Sequence, residues 1–210
     1  MKVSEAIKAR RTNKLKAEEP LNIELPADFD KTIEELISLS GWAPFHFPSH
    51  ESHQNGLDGI EPWRFYYLDR GNVRKLRESF IIRKPIPAPE GILNMLAASN
   101  GLVICTWLPD PDPEYSKPGT FKPTHRNMEH IAAAGAACQN FLLGAVEKGI
   151  NAYWSSGGAL RMARVFEFMG IPTEQVLLGA LFLFPDMEGN PGKNRALRAD
   201  SSAWSKRIEI

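Results

Sequence analysis

The stretch Asn127–Lys148, NMEHIAAAGAACQNFLLGAVEK, has the strongest helical pattern in the chain. Apolar side chains lie on much of its circumference, which predicts a helix buried nearly all round. Its middle, Ala132 to Ala137, contains only alanine and glycine, and side chains this small let a second helix approach closely. Two interpretations stay open: a central helix that crosses its own copy in a dimer, and an ordinary buried helix inside one subunit.

On both sides of this helix, short apolar or aromatic segments predict strands. Gly101–Leu108, GLVICTWL, is a continuous apolar run typical of a buried strand. The other predicted strands are Trp63–Leu68, Ile150–Trp154 and Gln175–Phe184. Helices are predicted near Val3–Ile7, over Asp30–Ser40 with Asp30 as its cap, around Val73–Phe80, around Ile92–Leu96 and over Leu160–Met169. No repeat or linker interrupts this order, so we expect one domain over residues 1–210, with helices and strands mixed.

The composition excludes several kinds of partner. Lys+Arg and Asp+Glu are both 25, so no net charge predicts binding to nucleic acid or to an acidic membrane. Cys105 and Cys138 each lie in an apolar run, which favours buried, reduced thiols over a disulfide. The first residues lack the apolar core of a signal peptide, and no apolar run reaches membrane-spanning length. We therefore expect a soluble, cytoplasmic protein.

The common nucleotide and catalytic motifs are absent from the sequence. No G-x-G-x-x-G, G-x-x-x-x-G-K-[ST] or G-x-S-x-G is present, and Gly189–Lys193, GNPGK, has the wrong spacing for a phosphate loop. His46, His50 and His53 have spacings that suit metal ligands. However, Pro48 interrupts them and no cysteine or carboxylate pair completes a site. Histidines on a surface loop are the favoured interpretation.

Two basic clusters could bind a phosphate. Arg10, Arg11, Thr12 and Lys14 follow the first predicted helix, and Lys193 and Arg195 lie near the C-terminus. Guanidinium groups, an ammonium group and a hydroxyl suit a phosphate dianion. Taken one at a time, these residues are better explained as a solvated basic surface.

A second candidate feature is the stretch Trp154-Ser155-Ser156-Gly157-Gly158, predicted to join a strand to a helix. Its glycines allow a planar ligand to approach the backbone closely, and its N–H groups are free to donate. The alternative is a plain strand-to-helix turn in which a serine is the N-cap.

Taken in order along the chain, these pieces resemble the nitroreductase family. The resemblance begins with Arg10-Arg11-Thr12-Asn13-Lys14 and continues through Ala43-Pro44 and Glu61-Pro62-Trp63-Arg64-Phe65, which is similar to the family's Gln-Pro-Trp-x-Phe. Further segments follow in the order expected for the family: Gln139–Ala145 with Gly149, Trp154 and its Ser/Gly turn, Gly170-Ile171-Pro172, Phe184-Pro185 and Lys193-Asn194-Arg195. No one motif decides the matter, but the ordered set is specific.

The resemblance implies an α+β fold with a mainly antiparallel central sheet flanked by helices, and a homodimer with the long helix at its interface. It implies FMN as cofactor, with Arg10, Thr12, Lys14, Lys193 and Arg195 gripping its phosphate and polar edge and Arg11 contributing through its backbone. The turn Ser155–Gly158 would lie beside the isoalloxazine ring, next to Trp154.

The implied reaction is a ping-pong transfer of hydride from NAD(P)H through flavin N5 to a small acceptor such as a nitroaromatic or a quinone. The cofactor supplies that chemistry, so no catalytic side chain is assigned. Other flavin chemistry on the same scaffold (dehalogenation, dehydrogenation or flavin reduction) and a non-catalytic flavin-binding protein stay open.

The sequence departs from the family pattern in one region. Gly59 stands where the family commonly has asparagine, and Glu61 where it has glutamine; an acidic side chain at the flavin edge would change its hydrogen bonding. The loop from Ala43 to Pro62 is also longer than expected. We expect this loop to form part of a lid, with Phe45, Phe47 and the histidines facing the substrate.

Overall fold

The computed structural model describes residues 1–54, 57–82, 89–186 and 198–208. It contains six α-helices and four strands within these ranges. The helices are α1 Val3–Ala9, α2 Phe29–Ser40, α3 Arg70–Ile82, α4 Glu90–Ala98, α5 His125–Glu147 and α6 Ala163–Met169. The strands are β1 Trp63–Leu68, β2 Gly101–Trp107, β3 Asn151–Ser155 and β4 Val176–Phe184. The predicted strands are thus confirmed to within a residue or two at each end.

The four strands form one antiparallel sheet in the order β1-β2-β4-β3. Trp63 pairs with Trp107, Trp107 with Val176, and Ser155 with Ala180. The start of β1, the end of β2, the start of β4 and the end of β3 therefore lie at the same end of the sheet. β1 and β3 are its two edges. The predicted α+β class with an antiparallel sheet is confirmed.

Alternate residues of the central strands enter different helical layers, as the two-residue period of a strand requires. Val103 and Leu181 pack against α2 and α5, whereas Ile104 and Phe182 pack against α3, α4 and α6. Both faces of β2 are covered, and all seven of its residues are buried. This double cover explains why its sequence is continuously apolar rather than alternating.

Helix α5 is less completely buried than its sequence predicts. At Gly144 an added Cβ would lie 2.7 Å from Leu36 and 2.8 Å from Leu39, so this glycine serves the crossing with α2 inside the subunit. At Gly135 an added Cβ would meet nothing within 4 Å. Met128 and Ala132, on the same side as Gly135, are exposed. The prediction of burial nearly all round is therefore wrong for this face of the first half of the helix.

Several local predictions need correction. Asp28, not Asp30, occupies the N-cap position of α2. The helix predicted over Leu160–Met169 is divided by Met162, which has an extended backbone, into a 3-10 turn Gly158–Arg161 and α6. His53 is buried rather than on the surface, because the loop that carries it folds inward.

The two cysteines are buried free thiols, as predicted. Burial, with the adjacent thiol of Cys138, raises the pKa of the Cys105 thiol. Cys105 therefore behaves as part of the apolar layer between β2 and α5. Within the described ranges, no helix is long and apolar enough to cross a membrane.

Candidate functional site

The N-terminal basic run lies beside the edge strand β3. Asn13 Nδ2 donates a hydrogen bond to Asn151 Oδ1 at 2.6 Å. Lys14 Nζ lies 5.4 Å from the centre of the Tyr153 ring, a distance typical of a cation–π contact. The segment then continues onto α4, where the N–H of Ala17 donates to the carbonyl of Asn94 at 3.0 Å. These contacts fix the basic run against one strand, although nothing in its own sequence is regular after α1.

The cations of the run differ in what they contact. The guanidinium of Arg11 donates to the carbonyls of Lys8, Ala9 and Arg10 at 2.6, 3.0 and 3.2 Å, so it caps the C-terminus of α1. Arg10 and Arg11 line a cavity of about 160 Å³ whose other walls include residues 149–152 and Asp186. Thr12 and Lys14 are exposed. Of the four residues predicted to bind a phosphate in this run, Arg10 and Arg11 line the cavity, whereas Thr12 and Lys14 do not.

The predicted Ser/Gly turn follows β3 directly. Trp154 and Ser155 still belong to the strand, so the turn begins at Ser156 and not at Trp154. Ser155 Oγ accepts the N–H of Gly157 at 3.1 Å, and Gly157, rather than a serine, is the N-cap of the following 3-10 turn. Trp154 leans back over the sheet: a Cβ added to Gly179 would lie 2.2 Å from its Nε1.

Glycine is required at Gly157 for two reasons. Its φ of 96° lies in the left-handed region that other residues rarely adopt. An added Cβ would also lie 2.2 Å from Leu177 Cδ2. The guanidinium of Arg161 donates to the carbonyls of Ser156 and Leu177, which ties this turn to β4.

The basic run and the glycine turn are brought together by one strand. Tyr153, beside Lys14, is three residues before Ser156, which at the rise of a strand is about 10 Å. The first turn of α4 closes the space between them. Ile92 Cδ1 lies 3.6 Å from the Cβ position of Gly158, and Lys16 Nζ lies 3.9 Å from that of Gly91.

Three of these residues were not predicted as part of the site: Lys16, Tyr153 and Ile92. Lys16 continues the basic run, so its charge was a usable signal. Tyr153 and Ile92 become neighbours of the site only through the pairing of β3 and the packing of α4 on the sheet, which no local pattern shows. Lys193 and Arg195 lie outside the described residues.

Glu61 lies elsewhere in the subunit. It precedes β1, whereas the turn follows β3, and these strands are opposite edges of the sheet. Its carboxylate oxygen Oε2 lies 2.5 Å from the position that a Cβ on Gly59 would take. The two departures from the family pattern are therefore linked, because a side chain at Gly59 would displace the carboxylate of Glu61.

The first part of the long loop packs against neighbouring side chains. Phe45 packs edge-on against Trp63 at 5.6 Å between ring centres. His46 Nδ1 lies 3.0 Å from Glu129 Oε2 on α5. The guanidinium of Arg126 lies over the Phe47 ring, with 5.4 Å from Cζ to the ring centre.

Among the described residues, no group of three or more histidine, cysteine or acidic side chains could hold a metal ion.

Comparison with known proteins adds a family and a fold. The family model described as "Nitroreductase family" matches residues 29–183. No curated protein matches the sequence. The family match leaves both basic clusters outside its limits.

Solved structures extend the likeness to the whole chain. A nitroreductase-like family protein from Bacillus cereus is 20% identical with a TM-score of 0.65, covering 100% of this chain and 97% of that one. A nitroreductase with bound FMN from Bacteroides fragilis is 17% identical, with a TM-score of 0.62 and all of both chains covered. The FMN and NADPH-dependent nitroreductase NfnB from Sphigopyxis sp. strain HMH is 12% identical, with a TM-score of 0.66 and again all of both chains covered. At these identities the structures show a shared fold. Because the family model matches well over half of its 210 residues, the chain belongs to the nitroreductase family.

Proposed function

We propose that this protein is an FMN-dependent oxidoreductase that passes hydride from NAD(P)H through the flavin to a small acceptor such as a nitroaromatic or a quinone. The observation that carries the proposal is the placement of the basic run and the glycine turn along one edge strand, about 10 Å apart. The FMN and NADPH named for the structural relatives support the same choice.

The phosphate end of the cofactor is assigned to the basic run. The side chains of Arg10, Thr12 and Lys14 would bind the phosphate, with Lys193 and Arg195 joining them from the C-terminal region. Lys14 stands over the Tyr153 ring, and this contact would limit how far its ammonium group can move. Asp186, in the same cavity as Arg10, would be kept from the phosphate by its hydrogen bond from Asn151 Nδ2 at 3.1 Å.

The ring end is assigned to Ser155–Gly158, with Trp154 behind it. When bound, FMN supplies the redox chemistry itself, accepting and returning a pair of electrons. The chain would orient the ring by backbone N–H groups of the turn and would keep water from its inner face with Ile92 and Leu177. No side chain is assigned an essential acid or base role.

The functional unit is proposed to be a homodimer. The exposed face of α5 around Ala132 and Gly135 offers small side chains to a second copy. A dimer would also give Glu61 a role. Since Glu61 and the turn lie at opposite edges of one sheet, we expect Glu61 to approach the flavin of the partner rather than that of its own subunit.

A different reaction on the same cofactor is the second candidate: dehalogenation, dehydrogenation or flavin reduction. The coupled pair Gly59 and Glu61 favours it, since it places a carboxylate where the family commonly has an amide. A panel of nitroaromatic, quinone, halogenated and free-flavin acceptors would separate these reactions by their kcat/KM.

One anaerobic experiment tests the main proposal. The visible spectrum of the purified protein is recorded before and after adding FMN, and NADH or NADPH is then added in turn. Bound flavin that bleaches with either nicotinamide and recovers with a quinone supports the proposal. Bound flavin that does not bleach would indicate a non-catalytic flavin-binding protein, and failure to bind FMN would overturn the assignment of the site.

A further inference from the structure

Arg64 is a buried cation surrounded by backbone carbonyls. It follows Trp63 in β1 and is 5% exposed. Its Nη1 donates to the backbone carbonyls of Glu61 and Trp63 at 2.8 and 2.7 Å. Its Nη2 donates to the backbone carbonyls of His53, Leu57 and Gly59 at 3.2, 3.0 and 2.7 Å. Four carbonyl oxygens of the loop and one of β1 thus converge on a single guanidinium.

This arrangement is unusual in its electrostatics. A buried charge is ordinarily paired with an opposite charge, yet none of the ion pairs within the described residues includes Arg64. Burial lowers the pKa of Arg64, but an arginine keeps its proton nonetheless. The carbonyl dipoles therefore take the place of water around the cation, and the acidic groups of Tyr66, Glu61 and Asp58 partly offset the effect of burial.

The loop held by Arg64 also forms one wall of a cavity. His53 Nε2 lies 2.7 Å from the carbonyl oxygen of Pro109, which links the loop to the segment after β2. His53 and Pro109 line a cavity of about 470 Å³ with Glu174 and parts of residues 110–120. This cavity lies at the end of the sheet where β4 begins, and there Leu177 contacts the glycine turn. The volume suits a small organic molecule.

We propose that Arg64 is a positioning residue for the electron acceptor: its guanidinium holds His53 and residues 57–63 so that His53 forms a fixed wall of the acceptor cavity. This inference rests on the proposed function, because it assumes that the cavity faces the flavin. On this proposal, His53 is part of a fixed wall of the cavity, whereas the sequence led us to expect a lid. The first part of the loop is pinned in the same way, since Arg126 Nη2 donates to the carbonyl of Pro48 at 2.9 Å.

The test uses Arg64→Lys and Arg64→Ala with Arg74→Lys as the matched control. Arg74 also donates to three backbone carbonyls, those of Leu21, Leu96 and Ala97, but at the other end of the sheet. A lysine ammonium has three donors and no fork, so it cannot reach five carbonyls. We expect the Arg64 variants to raise the acceptor KM about tenfold or more. The control should leave this KM unchanged.

Chemical rescue distinguishes the effect of the missing guanidinium group from a general loss of structure in the variant. Low millimolar guanidinium chloride should lower the KM of Arg64→Ala towards the wild-type value, whereas sodium chloride at the same concentration should not. An unchanged KM in Arg64→Lys would overturn the proposal.

Hydrogen exchange measured by mass spectrometry keeps the inference distinct from the proposed function. In the flavin-free protein, Arg64→Lys should speed amide exchange in residues 43–62 about tenfold relative to Arg74→Lys. Unchanged exchange there would show that Arg64 does not hold the loop, whether or not the protein proves to be a flavoenzyme.

Discussion

At the scale of single residues, Gly157 and Gly170 allow backbone strain and steric overlap to be measured separately. Gly157 has a φ of 96° and no room for a Cβ, whereas Gly170 has a φ of 70° with nothing within 4 Å of its Cβ position. We expect Gly170→Ala to cost about 1 kcal/mol of unfolding free energy through backbone strain alone. Gly157→Ala should cost about 2–4 kcal/mol and should also weaken FMN binding. Urea unfolding and flavin titration would measure both effects, and equal losses in the two variants would contradict this account.

His53 provides a prediction about pH. Burial lowers its pKa, with a smaller opposing effect from the Pro109 carbonyl. Because the folded-state pKa is below the unfolded one, the unfolded state takes up a proton first as pH falls. Stability is therefore complete above about pH 6.5 and is lost as pH decreases through the range down to the folded-state pKa.

The variant His53→Gln should flatten this part of the stability profile. Urea midpoints measured from pH 8 to pH 5 would show it, and His125→Gln, in which an exposed histidine is changed, is the control. A profile that keeps the same slope in His53→Gln would assign the pH dependence to another group.

At the scale of the elements, helix α5 uses its two glycines for different contacts. Gly144→Ala would place a methyl group against Leu36 and Leu39, so we expect it to lower stability by about 1–3 kcal/mol. Gly135→Ala meets nothing inside the subunit, and its higher helix propensity should stabilise an isolated subunit by up to about 1 kcal/mol. Chemical unfolding would measure both. A large loss in Gly135→Ala at concentrations where the protein is monomeric would contradict the open face.

The same elements show what the sequence could and could not predict. The strands were predictable because β2 is apolar on both faces and β1 is aromatic. The break at Met162, which divides the predicted helix Leu160–Met169, was not predictable because the pattern of apolar residues continues through it. Arg64 gave no signal at all: it lies between two aromatic residues of a strand, where alternation suggests a side chain in solvent, and only the inward course of the loop buries it.

At the scale of the whole molecule, the candidate site depends on contacts that span the chain. Asn13 and Asn151 are 138 positions apart and share a hydrogen bond. Each half of the site was predictable from its composition, a basic run and a glycine turn. The distance between the basic run and the glycine turn was not predictable. It depends on which strand becomes the edge of the sheet and on how the N-terminal segment passes that strand.

The proposed homodimer and the proposed cofactor should be thermodynamically linked. If Glu61 of one subunit reaches the flavin of the other, FMN binding must favour association, and dilution must weaken FMN binding. Sedimentation with and without FMN measures this link. We expect Ala132→Glu, on the exposed face of α5, to weaken both dimerisation and FMN binding. The exposed Arg164→Glu on α6 should affect neither, and an FMN affinity independent of protein concentration would argue against a site shared between subunits.

The arginines have one further consequence. Arg64 donates to more backbone carbonyls than the other arginines described above. The same kind of hydrogen bond is formed by the side chains of Arg11, Arg70, Arg74, Arg77, Arg126 and Arg161. Of these seven arginines, only Arg126 also forms an ion pair with another described residue. Mobile ions screen pairs of exposed opposite charges, but they have little effect on a buried contact between a cation and a carbonyl dipole. The described part of the loop that Arg64 holds should therefore keep its shape in concentrated salt as well as in dilute buffer, a tolerance of ionic strength that the even balance of acids and bases would not suggest.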